Sequence, residues 1–216
     1  MAALQAQALL DSGKYTEADF AKVVVNSRKN AKSNPNAQLK GDVTVEQLLA
    51  EPMLVDPLRK NDCCPITDGA SALVMVSREV AEDLIKKGVI QGAAFIKGID
   101  HRIDAHGLGV RDLTVSNSAR IAGEKAGVGK GKVDIAEIYA PFSHQELIIK
   151  EALGLGDDTV MNPSGGTLAG HVFMACGLDR IGAVAQQIIA GKAKRGVAHA
   201  SSGPCLQQNL VAVLEA

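Results

Sequence analysis

The densest chemistry in the sequence is the run Asn162-Pro-Ser-Gly-Gly-Thr-Leu-Ala-Gly170-His171. Ser164, Gly165, Gly166 and Gly170 make a turn poor in side chains, which a ligand or another backbone can approach closely. The turn runs into an apolar stretch that predicts one long helix over 169–190. Free N–H groups at a helix start stabilise an anion or oxyanion. His171 then falls in the first helical turn, beside the positive end of the dipole. That position keeps an imidazole neutral and suits a general base. The plainer reading of the same residues is a tight turn followed by a buried, hydrogen-bonded histidine.

A second group lies at Glu137-Ile-Tyr-Ala-Pro-Phe-Ser-His-Gln-Glu146, where a strand turns into a helix. Tyr139 and Ser143 lie beyond the carboxyl end of that strand, where an α/β sheet presents ligand groups. Ser143 with Glu146 also fits a helix-capping box, the plainer role for that serine. His144 and Glu146 do not make the HExxH zinc pattern, and no metal site is expected. Cys205 is either a reactive thiol or a small buried residue. His101 and His106 read as solvated or structural. Gly127-Val-Gly-Lys-Gly-Lys-Val-Asp134 lacks the spacing of a phosphate loop and precedes a strand, so it reads as a flexible basic loop.

Composition narrows the classes. The 216 residues are 46% apolar and 22% charged, with a net charge of -1, as expected of a globular chain without a basic field for nucleic acid. Aromatics are only 3%, too few for a single-strand stacking platform. No apolar run approaches the roughly 18 residues that span a bilayer. The N-terminal stretch lacks a presequence pattern and the four cysteines do not make a disulfide framework, so the expectation is a cytoplasmic protein.

The elements that must position these groups fall into two parts. Residues 1–66 read as a mostly helical segment. It comprises a helix over 1–12, a second helix opened by Thr16 and Asp19 as a capping box, a basic loop over 28–42 holding Arg28, Lys29, Lys32 and Lys40, and a short helix at 44–49. From residue 67 strands alternate with helices: a buried strand at 72–77, then strands at 93–100, 133–139, 196–202 and 209–216, the last two as a closing hairpin. This predicts an α/β domain over 67–216, a mixed five-stranded sheet with helices on both faces. The 169–190 helix is apolar nearly all round at its start, so a further domain or partner chain is expected to bury it.

Several of these stretches resemble the thiolase family. Asp68-Gly-Ala-Ser-Ala-Leu-Val-Met-Val-Ser77 is similar to the strand opening the C-terminal half of thiolases. Asn162-Pro-Ser-Gly-Gly with Gly170-His171 resembles the signature around their catalytic histidine. The segment from Glu137 through Ser143-His144-Gln-Glu-Leu, and the opening helices with their Arg/Asn-rich loop, look like the sterol-carrier/lipid-transfer branch. The resemblance covers essentially the whole chain.

It implies a thiolase-like half fold and acyl-CoA as substrate, with no further cofactor. The remaining partner is either a homo-oligomer mate or a complementary half that carries the nucleophilic cysteine. His171 takes the role of the base. Tyr139 stands where the branch has a histidine and other thiolases an asparagine, and Ser201 lies near the place of a second catalytic cysteine. Val172 replaces the proline that usually follows Gly-His. Ser164, Gly165, Gly166, Gly170 and Phe142 are the substrate-facing candidates. None of Cys63, Cys64, Cys176 or Cys205 matches the family's acyl-carrying position. The leading expectation is therefore an acetyl-CoA acyltransferase-type half that is inactive alone. The alternatives are an aldolase-type homologue using Tyr139 and a noncatalytic acyl-CoA or lipid-binding subunit.

Overall fold

A computed structural model describes all of residues 1–216. The helical segment opens with α1 (Ala2–Asp11), α2 (Glu17–Asn30) and α3 (Val45–Leu49). The Thr16–Asp19 box caps α2, and Thr44 caps α3 by accepting from the Gln47 N–H. A small hairpin, β1 (Met53–Val55) and β2 (Leu58–Arg59), follows. The α/β part then runs α4 (Arg78–Lys86), β3 (Phe95–Ile103), α5 (Asn117–Ala126), β4 (Ile135–Ile138), α6 (Ser143–Ala152), β5 (Val160–Met161), α7 (Gly166–Ala169), α8 (Cys176–Ile189), β6 (Arg195–Ser202) and β7 (Gln208–Glu215).

The sheet is mixed and five-stranded, in the order β3-β7-β6-β4-β5. β6 and β7 form the expected antiparallel hairpin, while β4 pairs parallel with both β6 and β5. Strand alternation sorts its side chains between two cores. Ala136, Ile138, Val197, Val211 and Val213 face α5 and α6 with Ala119, Ala122, Ile148 and Ile149. Ile135, Ala198, Ala212 and Leu214 face α8 with Val184 and Ile188. The first core also takes in Ala6, Leu9, Phe20 and Leu58 from the opening segment.

Four local expectations are corrected. Residues 72–77 form no strand and pair with neither edge of the sheet, β3 or β5. The segment instead lies along α8, with Leu73 against Gly182, and leaves Val74 93% exposed. The helix expected over 169–190 is broken at 170–175. There the His171 N–H donates to Thr67 Oγ1 (2.9 Å) and its carbonyl accepts from the Thr67 N–H (3.0 Å), so the groups a continuous helix would use are committed elsewhere. The segment leading into α8 leaves Phe173 and Met174 69% and 90% exposed in this chain.

Ser143 is not the cap of α6 but its first residue, and its hydroxyl donates to Asp62 Oδ1 (2.6 Å). Arg28 belongs to α2 and is buried, donating to the Leu168 carbonyl (2.7 Å) and to Asn61 Oδ1 (2.8 Å). An arginine satisfied this way inside the fold is not part of the basic loop expected over 28–42.

Gly98 sits where α5 ends against β3. A Cβ there would collide with the Ala126 carbonyl, a backbone group that cannot swing aside. Gly98→Ala is therefore expected to cost about 1–3 kcal/mol as overpacking, read as a lowered midpoint in chemical denaturation. A wild-type midpoint would mean that the contact between β3 and α5 is loose.

Candidate functional site

The site begins at the end of β4. Glu137 is fully buried and shares a strand face with Ile135, toward α8. Its carboxylate accepts from the Ser164 N–H and hydroxyl (both 2.8 Å) and from Arg180 Nη1 (2.8 Å). A carboxylate taken out of water needs such partners. These bonds fasten the glycine turn to the strand and orient α8 above it.

Asn162 completes the anchorage. Its Oδ1 accepts from the Ile138 N–H (2.7 Å) and its Nδ2 donates to Glu146 Oε2 (2.6 Å). Its φ is 46°, a left-handed conformation that asparagine tolerates better than most residues. Gly165 and Gly166 have φ of 93° and 66°, and a Cβ on them would meet Ala31 and Asn162 at 2.6 and 2.7 Å. Both glycines thus serve turn geometry, and Gly165 also allows the close approach of Ala31 just after α2. Gly170 is extended, and a Cβ on it would meet nothing closer than 3.8 Å, so neither constraint applies to it.

Two backbone clamps bring a distant segment to the site. The Cys64 N–H donates to the Pro141 carbonyl (2.8 Å), and Cys63 bridges Phe142. Thr67 pairs with His171 in both directions as described above. Between these clamps, Cys64 Sγ lies 3.3 Å from His171 Nδ1, and Tyr139 Oη lies 2.9 Å from His171 Nε2. His171 sits between α7 and α8 rather than in a first helical turn. Its neutrality therefore rests on burial, which lowers its affinity for a proton, aided by the nearby Arg180.

Burial also pushes the Cys64 and Cys176 thiols up to about 11 and the Tyr139 phenol up to about 12. All four groups are uncharged near neutrality. The arrangement is a thiol, an imidazole and a phenol in one hydrogen-bonded row, suited to moving a proton without holding a charge at rest.

The other candidates lie apart from this row. Ser201 follows Val197 and His199 on the sheet face toward α5, opposite α8. Phe142 stacks on His144, with ring centroids 6.0 Å apart. His144 itself is fully buried and pushed down to about 3 by desolvation. His199 is bound to Asn209 Oδ1 (2.8 Å) inside the α5 core. Cys205 donates toward the Met1 carbonyl (3.5 Å). Ser164, Gly166 and Gly170 line an open groove of about 650 Å³ between residues 67–73 and α8. The groove adjoins the row through Thr67 and Val172, but Cys64, Tyr139 and His171 do not line it.

Sequence reasoning missed Cys64. The vicinal Cys63-Cys64 pair says nothing of a histidine 107 residues away. The signal present was a Pro-punctuated extended stretch leading to it.

No protein-family model matches the chain. Among curated proteins, it is 32% identical over 207 residues to the acetyl-CoA acetyltransferase of Methanothermobacter thermautotrophicus, covering 87% of this chain and 54% of that protein. It is 29% identical over 205 residues to the benzoylsuccinyl-CoA thiolase subunit BbsB of Thauera aromatica, covering 86% and 53%. It is 30% identical over 217 residues to rat sterol carrier protein 2, covering 88% and 39%. The chain therefore spans about half the length of the first two relatives and less of the third. A chain of the Ltp2-ChsH2(DUF35) aldolase superposes on all of this chain and 62% of its own length, with a TM-score of 0.79 at 23% identity, a likeness of fold.

The buried network yields a pH test. Burial, with Glu137 nearby, holds the Glu146 carboxyl up to about 7 against the donating Asn162, from an ordinary 4.5. The folded protein thus keeps this proton more tightly than the unfolded chain, and stability falls as pH rises from 4.5 through 7. Glu146→Gln keeps an oxygen for Asn162 and carries no charge. It is expected to exceed the wild type by up to about 3 kcal/mol at high pH, with the gap closing on the acid side of that window. Urea titrations at both ends measure it, and parallel pH profiles would refute the burial argument.

Proposed function

This chain is thiolase-like in sequence and fold, and we propose that it supplies the base and thioester-binding half of a thiolase-type acyltransferase acting on acyl-CoA. The observation that carries the reading is His171: nearly buried, uncharged, and fixed at both ring nitrogens. Thioester condensation or cleavage needs a thiolate, a base that moves protons at carbon or sulfur, and donors for the oxyanions. In this reading His171 is the base, and a complementary thiolase half or partner chain brings the acyl-carrying cysteine.

Two features support that partner. The chain matches about half of each thiolase relative. Phe173 and Met174, in the segment leading into α8 next to His171, and Leu178 in the first turn of α8 are exposed, apolar surface of the kind that a second layer would cover. Substrate reaches the site along the groove lined by Ser164, Gly166 and Gly170.

The contact between Tyr139 and His171 favours a second reading, an aldolase-type cleavage of 3-hydroxyacyl-CoA in which Tyr139 is the acid-base group. The fold neighbour described as an aldolase is in keeping with it.

The test is turnover of a 3-oxoacyl-CoA by the chain assembled with a cysteine-bearing half. His171→Ala is expected to lower kcat by about 10²- to 10⁴-fold, the scale for loss of a general base. Unchanged turnover would remove His171 from the mechanism. Cleavage of 3-hydroxyacyl-CoA that is lost in Tyr139→Phe would put the aldolase reading first.

A further inference from the structure

We infer that Cys64 is itself an acyl-accepting thiol, so that this chain carries a second, built-in nucleophile beside the one proposed for the partner half. An imidazole has two nitrogens, and both of those on His171 are taken, by Cys64 and Tyr139. A substrate atom therefore meets the row at one of its ends. Tyr139 is buried, whereas Cys64 is partly open to solvent. The open end of the row is the thiol.

Thiol, imidazole and a third group on the far nitrogen make the arrangement of nucleophile, base and orienter. No other cysteine of the chain shares it. Cys63 Sγ points to the Arg59 carbonyl (3.6 Å), Cys205 points to the Met1 carbonyl, and Cys176 is buried at the start of α8. Cys64 is also held in place, since its backbone N–H is fastened to Pro141 and the following turn to His171.

The step uses the tautomer in which His171 Nε2–H donates to Tyr139 Oη, leaving Nδ1 as an acceptor. Cys64 Sγ bonds to the thioester carbonyl carbon as its proton passes to Nδ1. The bond from that carbon to the coenzyme A sulfur then breaks, and the departing sulfur takes the proton from Nδ1. The products are S-acyl-Cys64, free coenzyme A and neutral His171. Because the resting thiol is neutral, proton transfer accompanies attack rather than preceding it.

The inference rests on acyl-CoA as the substrate class, and its test separates the two. The full chain is incubated with acetyl-CoA and digested, and the acetylated cysteine is identified by mass spectrometry, with hydroxylamine used to confirm a thioester. The expected result is acetyl on Cys64 and not on Cys63, loss of the label in Cys64→Ser, and slowing by about 10²-fold or more in His171→Ala. Tyr139→Phe slows it too, and Cys63→Ser leaves it unchanged. Circular dichroism checks that each variant folds.

Label spread over Cys63 and Cys64 alike, or a Cys64 label formed at the wild-type rate in His171→Ala, would overturn the inference as ordinary thiol chemistry. An unlabelled chain that still turns over acyl-CoA with its complementary half would overturn it too, leaving the proposed function standing. An unlabelled chain with no turnover in either setting would overturn both.

Discussion

The constraint on which the rest of the structure depends is the buried carboxylate of Glu137. It sits on a central strand, on the face where its neighbours are apolar. Buried charge of this kind is tolerated only when it is paired and hydrogen-bonded. Ser164 meets it with backbone and side chain, and Arg180 meets it from α8. One end of the glycine turn is thereby fixed to β4, and α8 is fixed above it. The stretch between the turn and α8 holds His171. Its position is a consequence of satisfying a charge several residues away.

Asn162 sets the other side of the same turn. It links the end of β4 to α6 through Ile138 and Glu146, and Asn30 of α2 donates to its carbonyl. The opening helical segment is thus fastened to the site by side chains that reach backbone carbonyls: Ser27 to Gly165, Arg28 to Leu168, Asn34 to Ser164. These polar residues are common on helix surfaces and loops, so in sequence they read as solvated. What buries them is a turn 130 or more residues away that offers carbonyls with no secondary-structure partner.

That distinction marks how much was legible. The closing hairpin, the α6 helix and the strand ending at Ile138 follow from local periodicity. The sheet is mixed and five-stranded as expected, but its fifth strand is β5, which the sequence pattern did not mark, and not 72–77. His171 was legible because glycines and a histidine at fixed spacing form a local pattern. Cys64 was not, because its partner is brought by backbone bonds from Pro141 and Thr67. The segment at 72–77 failed for a related reason. Its residues have strand propensity, but pairing rather than propensity makes a strand, and this segment joins neither free edge of the sheet and lies along α8 instead. The expected long helix failed where His171 commits its backbone groups to Thr67.

The exposed segment leading into α8 bears on the electrostatics of the site. Phe173 is largely open to solvent, yet its ring stands edge-on to His171 with centroids 5.4 Å apart. A layer laid over Phe173 and Met174 would exclude water from the imidazole as well. Desolvation is already the main influence lowering the proton affinity of His171, and further burial acts in the same direction. It also strengthens the bonds to Cys64 and Tyr139, because hydrogen bonds gain in a less polar medium. Covering this apolar surface would therefore also favour the neutral imidazole. The same few residues that make the chain's surface sticky are the ones that set the chemistry beneath it.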